Sequence, residues 1–291
     1  MVGAADMARD RRDLRKRLGR ALQAGLVTGL AGASAMVLQV LFLMPVDTTI
    51  TMQYRYGQST VGALKSLWGR GGYGRFYCGV IPALVQGPAA RFGDTFSNGF
   101  VSALFIDESL PTMAKTAVAS GIAAFWRVLI MPVDVCKTIF QIYGQEKAKK
   151  RLWKRAQVHG LRGFYFGSLA SFVSAFCGHL PWYATFNFLD RHLPKPKSTQ
   201  QELSRHAVLG FSASFASDAT TNSIRVLKAL RQSEGLTYTK ALTSVIKHHG
   251  ALGLLTRGLK TRLIANGLQG IFFTILWKNF EARFGRRKRD D

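Results

Sequence analysis

Acidic and basic side chains recur at helical spacing behind a proline in this 291-residue chain. Pro132, Asp134 and Lys137 fall within six residues, with Gln141 four residues further on; Pro45 and Asp47 repeat the first half of the pattern, Lys228 and Gln232 the second. A carboxylate and an ammonium three residues apart project from one face of a helix, and a proline in the helix interior kinks it. Groups so placed suit ion pairs with neighbouring elements, not bond-breaking. No nucleophile–base constellation and no phosphate-binding loop accompanies them, so no enzymatic activity is expected. Cys78, Cys136 and Cys177 are too scattered for a disulfide framework, and no Cys/His cluster has metal-ligand spacing, so neither a metal nor a soluble cofactor is expected.

The elements that must hold these groups are apolar and long. Residues 21–46 and 164–189 contain no Asp, Glu, Lys or Arg, and each run of 26 residues exceeds the roughly 20 needed to cross a bilayer. Phe76–Ile106 is interrupted only by Arg91 and Asp94, Thr116–Cys136 by Arg127 and Asp134, Ala207–Ile224 by Asp218, and Leu263–Trp277 by nothing. Single charges inside spans belong on an interior or a water-filled cavity. Six such segments read as a polytopic all-α membrane protein around a polar pathway. The net charge of +24 then lies in loops and tails. The Lys147–Arg155 run and the Arg286–Arg289 tail suit anionic headgroups, and with no reader motif beside them nucleic acid is not an expected partner.

Two landmarks repeat in phase. The Pro132 motif follows that of Pro45 by 87 residues and Ser223 follows by another 91; Gly79, Gly167 and Gly258 recur at 88 and 91. The chain therefore divides into a cationic tail (1–20), three two-helix repeats (21–106, 107–192 and 193–284) and a basic tail (285–291), with a pseudo-threefold axis through a central cavity. Gly25, Gly29 and Gly32 have the small-residue spacing that permits close helix contact.

Over residues 20–285 the chain resembles the mitochondrial carrier family, whose signature is Pro-x-Asp/Glu-x-x-Lys/Arg at the end of each odd helix and a Gly-rich turn before each even one. The resemblance implies a multi-pass protein of the inner mitochondrial membrane with both termini toward the intermembrane space, exchanging a small anionic metabolite by alternating access. The loops assigned to the matrix, 54–78, 142–163 and 233–262, together carry +14, the sense of the positive-inside rule. It further implies a matrix gate of Asp47, Asp134, Lys137, Gln141, Arg225, Lys228 and Gln232, each basic residue pairing with the acidic residue of the following repeat. On that rule Lys228 meets Asp47, Asp134 faces Ile50, and Lys137 faces Arg225 unless Arg225 swings to Asp134. One of three bridges survives, with Tyr54 in the bracing position of the first repeat. A second, cytoplasmic gate is reduced to Asp190, Lys278 and Glu281.

Seven residues past each landmark glycine, Gln86, Ser174 and Ala265 take the family's substrate-contact positions, none with a charge. Arg91, Asp94, Arg127, His179 and Asp218 complete the expected cavity. Arg91 and Arg127 either clamp an anion or are neutralised by Asp94 and Asp218 respectively, the second being favoured; His179 reads as a hydrogen-bonded interior histidine. Cardiolipin, a membrane lipid partner in the family, would sit at Gly79, Gly167, Arg257 and Gly258, although Cys78 and Phe166 replace two of the three basic residues there. The eroded gates also admit an alternative, a transport-inactive carrier fold serving as a structural subunit of a larger inner-membrane assembly.

Overall fold

The computed structural model describes residues 4–105, 111–196 and 198–269. Eleven helical segments build it: α1 (Ala4–Tyr56), α2 (Thr60–Gly69), α3 (Gly72–Phe76), α4 (Val80–Leu104), α5 (Thr112–Leu129), α6 (Met131–Tyr143), α7 (Gln145–His159), α8 (Ser168–His192), α9 (Thr199–Glu234), α10 (Tyr238–Thr256) and α11 (259–269), with a 3-10 turn at Gly160–Tyr165 between α7 and α8. The long helices close a ring. α1 packs on α4, α4 on α5, α5 on α8 and α8 on α9. α11 closes it, through Arg262 to Asp218 on α9 and through Gln269 to Gln39 on α1. α1 begins at Ala4 and so runs through the cationic stretch before residue 20.

Local sequence explains the breaks. In the second repeat Ile130 and Pro132 split the odd helix into α5 and α6, bent by 62°. Pro45 leaves α1 continuous, and α9, with Ser223 in the corresponding place, is unbroken. Each even helix begins behind its landmark glycine in the left-handed region: Gly79 (φ 88°), Gly167 (φ 94°) and Gly258 (φ 69°). All three need the absence of a side chain for a second reason. A Cβ at Gly79 would stand 2.9 Å from Cβ of Phe140, one at Gly167 3.2 Å from Cγ of Gln232, and one at Gly258 2.8 Å from the Tyr54 ring. Each repeat thus presses its turn against the end of the next repeat's odd helix, the third against the first.

The small-residue stripe of α1 packs as expected. Gly25 faces Phe96 and Phe100, Gly29 faces Phe92 and Gly32 faces Thr95, while the Thr28 hydroxyl donates to the Thr95 carbonyl at 3.1 Å. Large apolar side chains cover the outside of the ring, including Val27, Phe42, Ile81, Phe125, Leu169 and Phe211. This is the inverse of a water-soluble helical bundle. Among the described residues, only the α1 stretch Arg15–Tyr56 and the bent pair α5–α6 are both long and apolar enough to cross a membrane. α4 and α8, at 25 residues each, and α9, at 36, have the length, but polar interior groups lower their hydropathy. The sixth expected segment, Leu263–Trp277, lies partly outside the described residues.

Candidate functional site

Two inter-repeat bridges stand at the end of the ring nearest the landmark turns, built alike. Lys137 Nζ lies 2.7 Å from Asp47 Oδ2, and Gln141 Nε2 donates to the same oxygen at 2.9 Å. Lys228 Nζ lies 2.8 Å from Asp134 Oδ2, which also accepts from Gln232 Nε2 at 2.6 Å. A threonine one turn beyond each carboxylate holds the glutamine: Thr51 donates to Gln141 Oε1 and Thr138 to Gln232 Oε1, both at 2.9 Å. Each lock comprises an Asp and Thr from one repeat and a Lys and Gln from the next.

This corrects the expected pairing. Lys228 meets Asp134 rather than Asp47, Lys137 meets Asp47 rather than Arg225, and two bridges survive instead of one. Acid and base three residues apart sit about 60° from one another around the helix and lean toward opposite neighbours. Which neighbour each reaches depends on the direction in which the repeats circle the ring. The unmatched positions, Ile50 and Arg225, fall together at the seam between third and first repeats. There Ile50 and Tyr54 join Val226, Ala229 and Leu230 in a buried apolar cluster. Arg225 turns back along α9 to Asp218 Oδ1 at 2.8 Å, with Ser174 Oγ at 3.4 Å. An Arg55–Glu234 ion pair flanks the cluster.

Several of the remaining expected cavity residues find partners. Arg127 forks onto Asp94, Nη2 to Oδ2 at 2.6 Å and Nε to Oδ1 at 3.3 Å, so it does not neutralise Asp218. Arg91 is exposed beside Gly32 and forms no clamp with Arg127. His179 Nδ1 is 2.8 Å from the Ser120 hydroxyl, an interior hydrogen bond. Gln86 accepts from Lys137 at 3.3 Å. Asp190 pairs at 2.7 Å with Arg205 at the start of α9, a partner the sequence reading missed; Lys278 and Glu281 lie outside the described residues.

Arg262 was missed as well. It stands one turn past Gly258, donates from Nε to Asp218 Oδ1 at 2.8 Å, and shares that carboxylate with Asn266, which donates to Oδ2 at 2.6 Å. The four-residue spacing from Gly258 to Arg262 and again to Asn266 was its only sequence signal. A cavity of about 170 Å³ opens among α1, α4, Lys137 and α11. Its polar wall is Asp47, Lys137, Arg262, Asn266, Gln39 and Gln269; Met36, Val40, Leu43, Met44 and Ala265 supply the apolar wall.

Below the bridges, three arginines tie each repeat to the next. Arg75 donates to the carbonyls of Gln141 and Ile142 at 2.7 and 2.8 Å, Arg155 to Ser233 at 3.4 Å, and Arg257 to Tyr54 at 3.4 Å. Each puts a cation at the C-terminal end of an odd helix, where unpaired carbonyls and the helix dipole favour it. Burial, the main cause, pushes all three guanidinium pKa values below the ordinary arginine value. Arg257 is buried, with Nη1 directed at the Tyr54 carbonyl.

A ring of helices with apolar outer faces, closed at one end by ion pairs beneath a polar cavity, has the build of a membrane solute carrier. Residues 108–197 match the family model described as Mitochondrial carrier protein. Over 254 residues the chain is 23% identical to Mitochondrial ornithine transporter 1 of Saccharomyces cerevisiae (strain ATCC 204508 / S288c), a match covering 79% of this chain and 85% of that protein. In sequence the chain is thus similar to the mitochondrial carriers, directly so over residues 108–197 and distantly over most of its length.

Proposed function

We propose that the chain exchanges a small metabolite bearing an anionic group across the inner mitochondrial membrane by alternating access. Its three repeats surround the pathway with pseudo-threefold symmetry and both termini face the intermembrane space. The observation that carries this reading is the pair of matching locks, Asp47–Lys137–Gln141–Thr51 and Asp134–Lys228–Gln232–Thr138. They form the matrix-side gate, and the cavity above them, with two cations and one carboxylate on its wall, takes the solute. The relative named as an ornithine transporter adds amino-acid-like carboxylates to the candidate solutes. Cardiolipin would contact the turn glycines through their backbone.

The structural-subunit alternative drew its support from erosion of both gates and from uncharged contact positions, and two matrix-side bridges weaken only the first part of that support. Reconstitution into liposomes loaded with a mixed pool of small carboxylates and amino acids tests the proposal. Counter-exchange that Lys137→Ala reduces at least tenfold is expected. Absence of exchange, with native protein comigrating with a large assembly in mild detergent, would favour the alternative.

A further inference from the structure

The cavity is unsymmetrical, and its charges lie at one end. Arg262, Asn266 and Gln269 occupy one face of α11 at spacings of four and three residues, so the wall from Arg262 to Gln269 runs about 10 Å along the helix. At the first end Asp47 is already held by Lys137 and Gln141, and Asp218 is filled by Arg225, Arg262 and Asn266. Neither carboxylate therefore seeks a further cation. Among the described residues Arg262 commits only its Nε to Asp218, and its side chain lines the cavity, so the outer amino groups of its fork are available to a solute. A planar fork of this kind matches the two oxygens of a carboxylate. At the far end Gln269 donates to Gln39 at 2.6 Å, an uncharged amide pair that offers both a donor and an acceptor. Between the ends the lining is aliphatic and thioether.

We infer that Arg262 is the carboxylate-reading residue of this cavity, and that the cavity selects a short aliphatic monocarboxylate whose other end carries no negative charge. A dicarboxylate would bring its second charge against amides with no cation. A solute without a carboxylate would leave the Arg262 fork buried and unmatched. The inference rests on reading this cavity as the solute's path, but binding can be measured apart from transport.

The test uses purified full-length protein in mild detergent with four five-carbon probes: 5-aminopentanoate, pentanoate, 5-aminopentanamide and glutarate. Two readouts are followed: the thermal-unfolding shift, and peptide-resolved modification of arginines by phenylglyoxal. 5-Aminopentanoate and pentanoate should raise the unfolding temperature and slow modification of Arg262 in the wild type, leaving Arg75 unaffected; the amide and glutarate should do neither. Arg262→Gln should weaken binding about 10–100-fold, the loss expected for a charged hydrogen-bonding partner. Arg262→Lys should recover part of it, and Lys260→Gln, on the exposed side of the same helix, should change nothing.

Equal protection by the amide, or an undiminished shift in Arg262→Gln, would overturn the inference. So would the absence of any probe effect on wild-type Arg262, a readout that does not depend on any variant folding. Probe binding without liposome exchange would sink the transport reading alone; exchange of carboxylates undiminished in Arg262→Gln would sink this inference alone.

Discussion

Lys228→Ala tests the direction in which the repeats circle the ring. The Asp134 residue is only 9% exposed, and in the variant it keeps the Gln232 amide at 2.6 Å but loses its counter-charge at 2.8 Å. Removing one partner of a buried pair costs about 3–5 kcal/mol, mostly because the other charge stays buried and unmatched. At roughly 2–4 °C per kcal/mol, the unfolding temperature should drop by about 6–20 °C. Asp134→Ala should cost a similar amount, but the double variant should cost less than the sum, with a coupling of about 1–3 kcal/mol. Asp47→Ala combined with Lys228→Ala should be additive within about 0.5 kcal/mol, since those residues belong to different locks. A thiol-reactive dye following the free cysteines Cys78, Cys136 and Cys177 reports unfolding in detergent. A Lys228 coupling to Asp47 larger than that to Asp134 would refute the arrangement and restore the opposite pairing.

Gly79→Ala should destabilise by at least about 1–2 kcal/mol, the cost of left-handed backbone for a residue with a Cβ, because φ is 88° and the new methyl would lie 2.9 Å from Phe140; thermal unfolding measures it. Arg75→Ala should cost about 1–3 kcal/mol by orphaning two buried carbonyls, and should speed amide exchange near residues 141–143, where mass spectrometry can resolve it. Ile50→Lys alone should destabilise strongly, since it buries a cation in an apolar cluster beside Arg225; adding Arg225→Asp should recover much of the loss by making a third bridge, as read by unfolding temperature.

The parts legible in the sequence are those that local geometry fixes. The landmark glycines repeat because a left-handed turn pressed against a neighbouring helix tolerates no Cβ, and the bracing glutamines because one helical turn separates them from their lysines. The Gly25–Gly29–Gly32 stripe was readable because close approach of α1 and α4 requires small residues. Partner choice was not legible. An acid and a base on one helix face fit either direction around the ring equally well, so the pairing rule could be inverted without violating any spacing. Sequence position alone allows Arg127 either Asp94 or Asp218 as its partner, and only the packing of the helices selects Asp94. Arg75 and Arg155 escaped notice because they stand at unrelated distances from their landmark glycines and become equivalent only through the carbonyls they reach.

The three seams are held by different forces, and that bears on how the ring can open. At the two ionic seams, parting the pair returns an ammonium and a carboxylate to water, so lost attraction is largely offset by recovered hydration. At the seam between third and first repeats, parting Ile50 and Tyr54 from Val226 and Leu230 exposes apolar side chains, each worth about 1.5–3 kcal/mol when fully buried, with no such return. The displaced charges of that seam are satisfied within α9 and α11, where Asp218 holds Arg225 and Arg262 whether or not the repeats separate. On the proposed alternating access, opening at the two lysine locks therefore costs less than opening at Ile50, so the third seam would serve as a hinge and the locks as the moving parts. The cavity borders the Asp47–Lys137 lock directly. On the same proposal, a solute carboxylate seated there would lie close to the Lys137 ammonium, whose attachment to Asp47 would decide whether that seam stays shut.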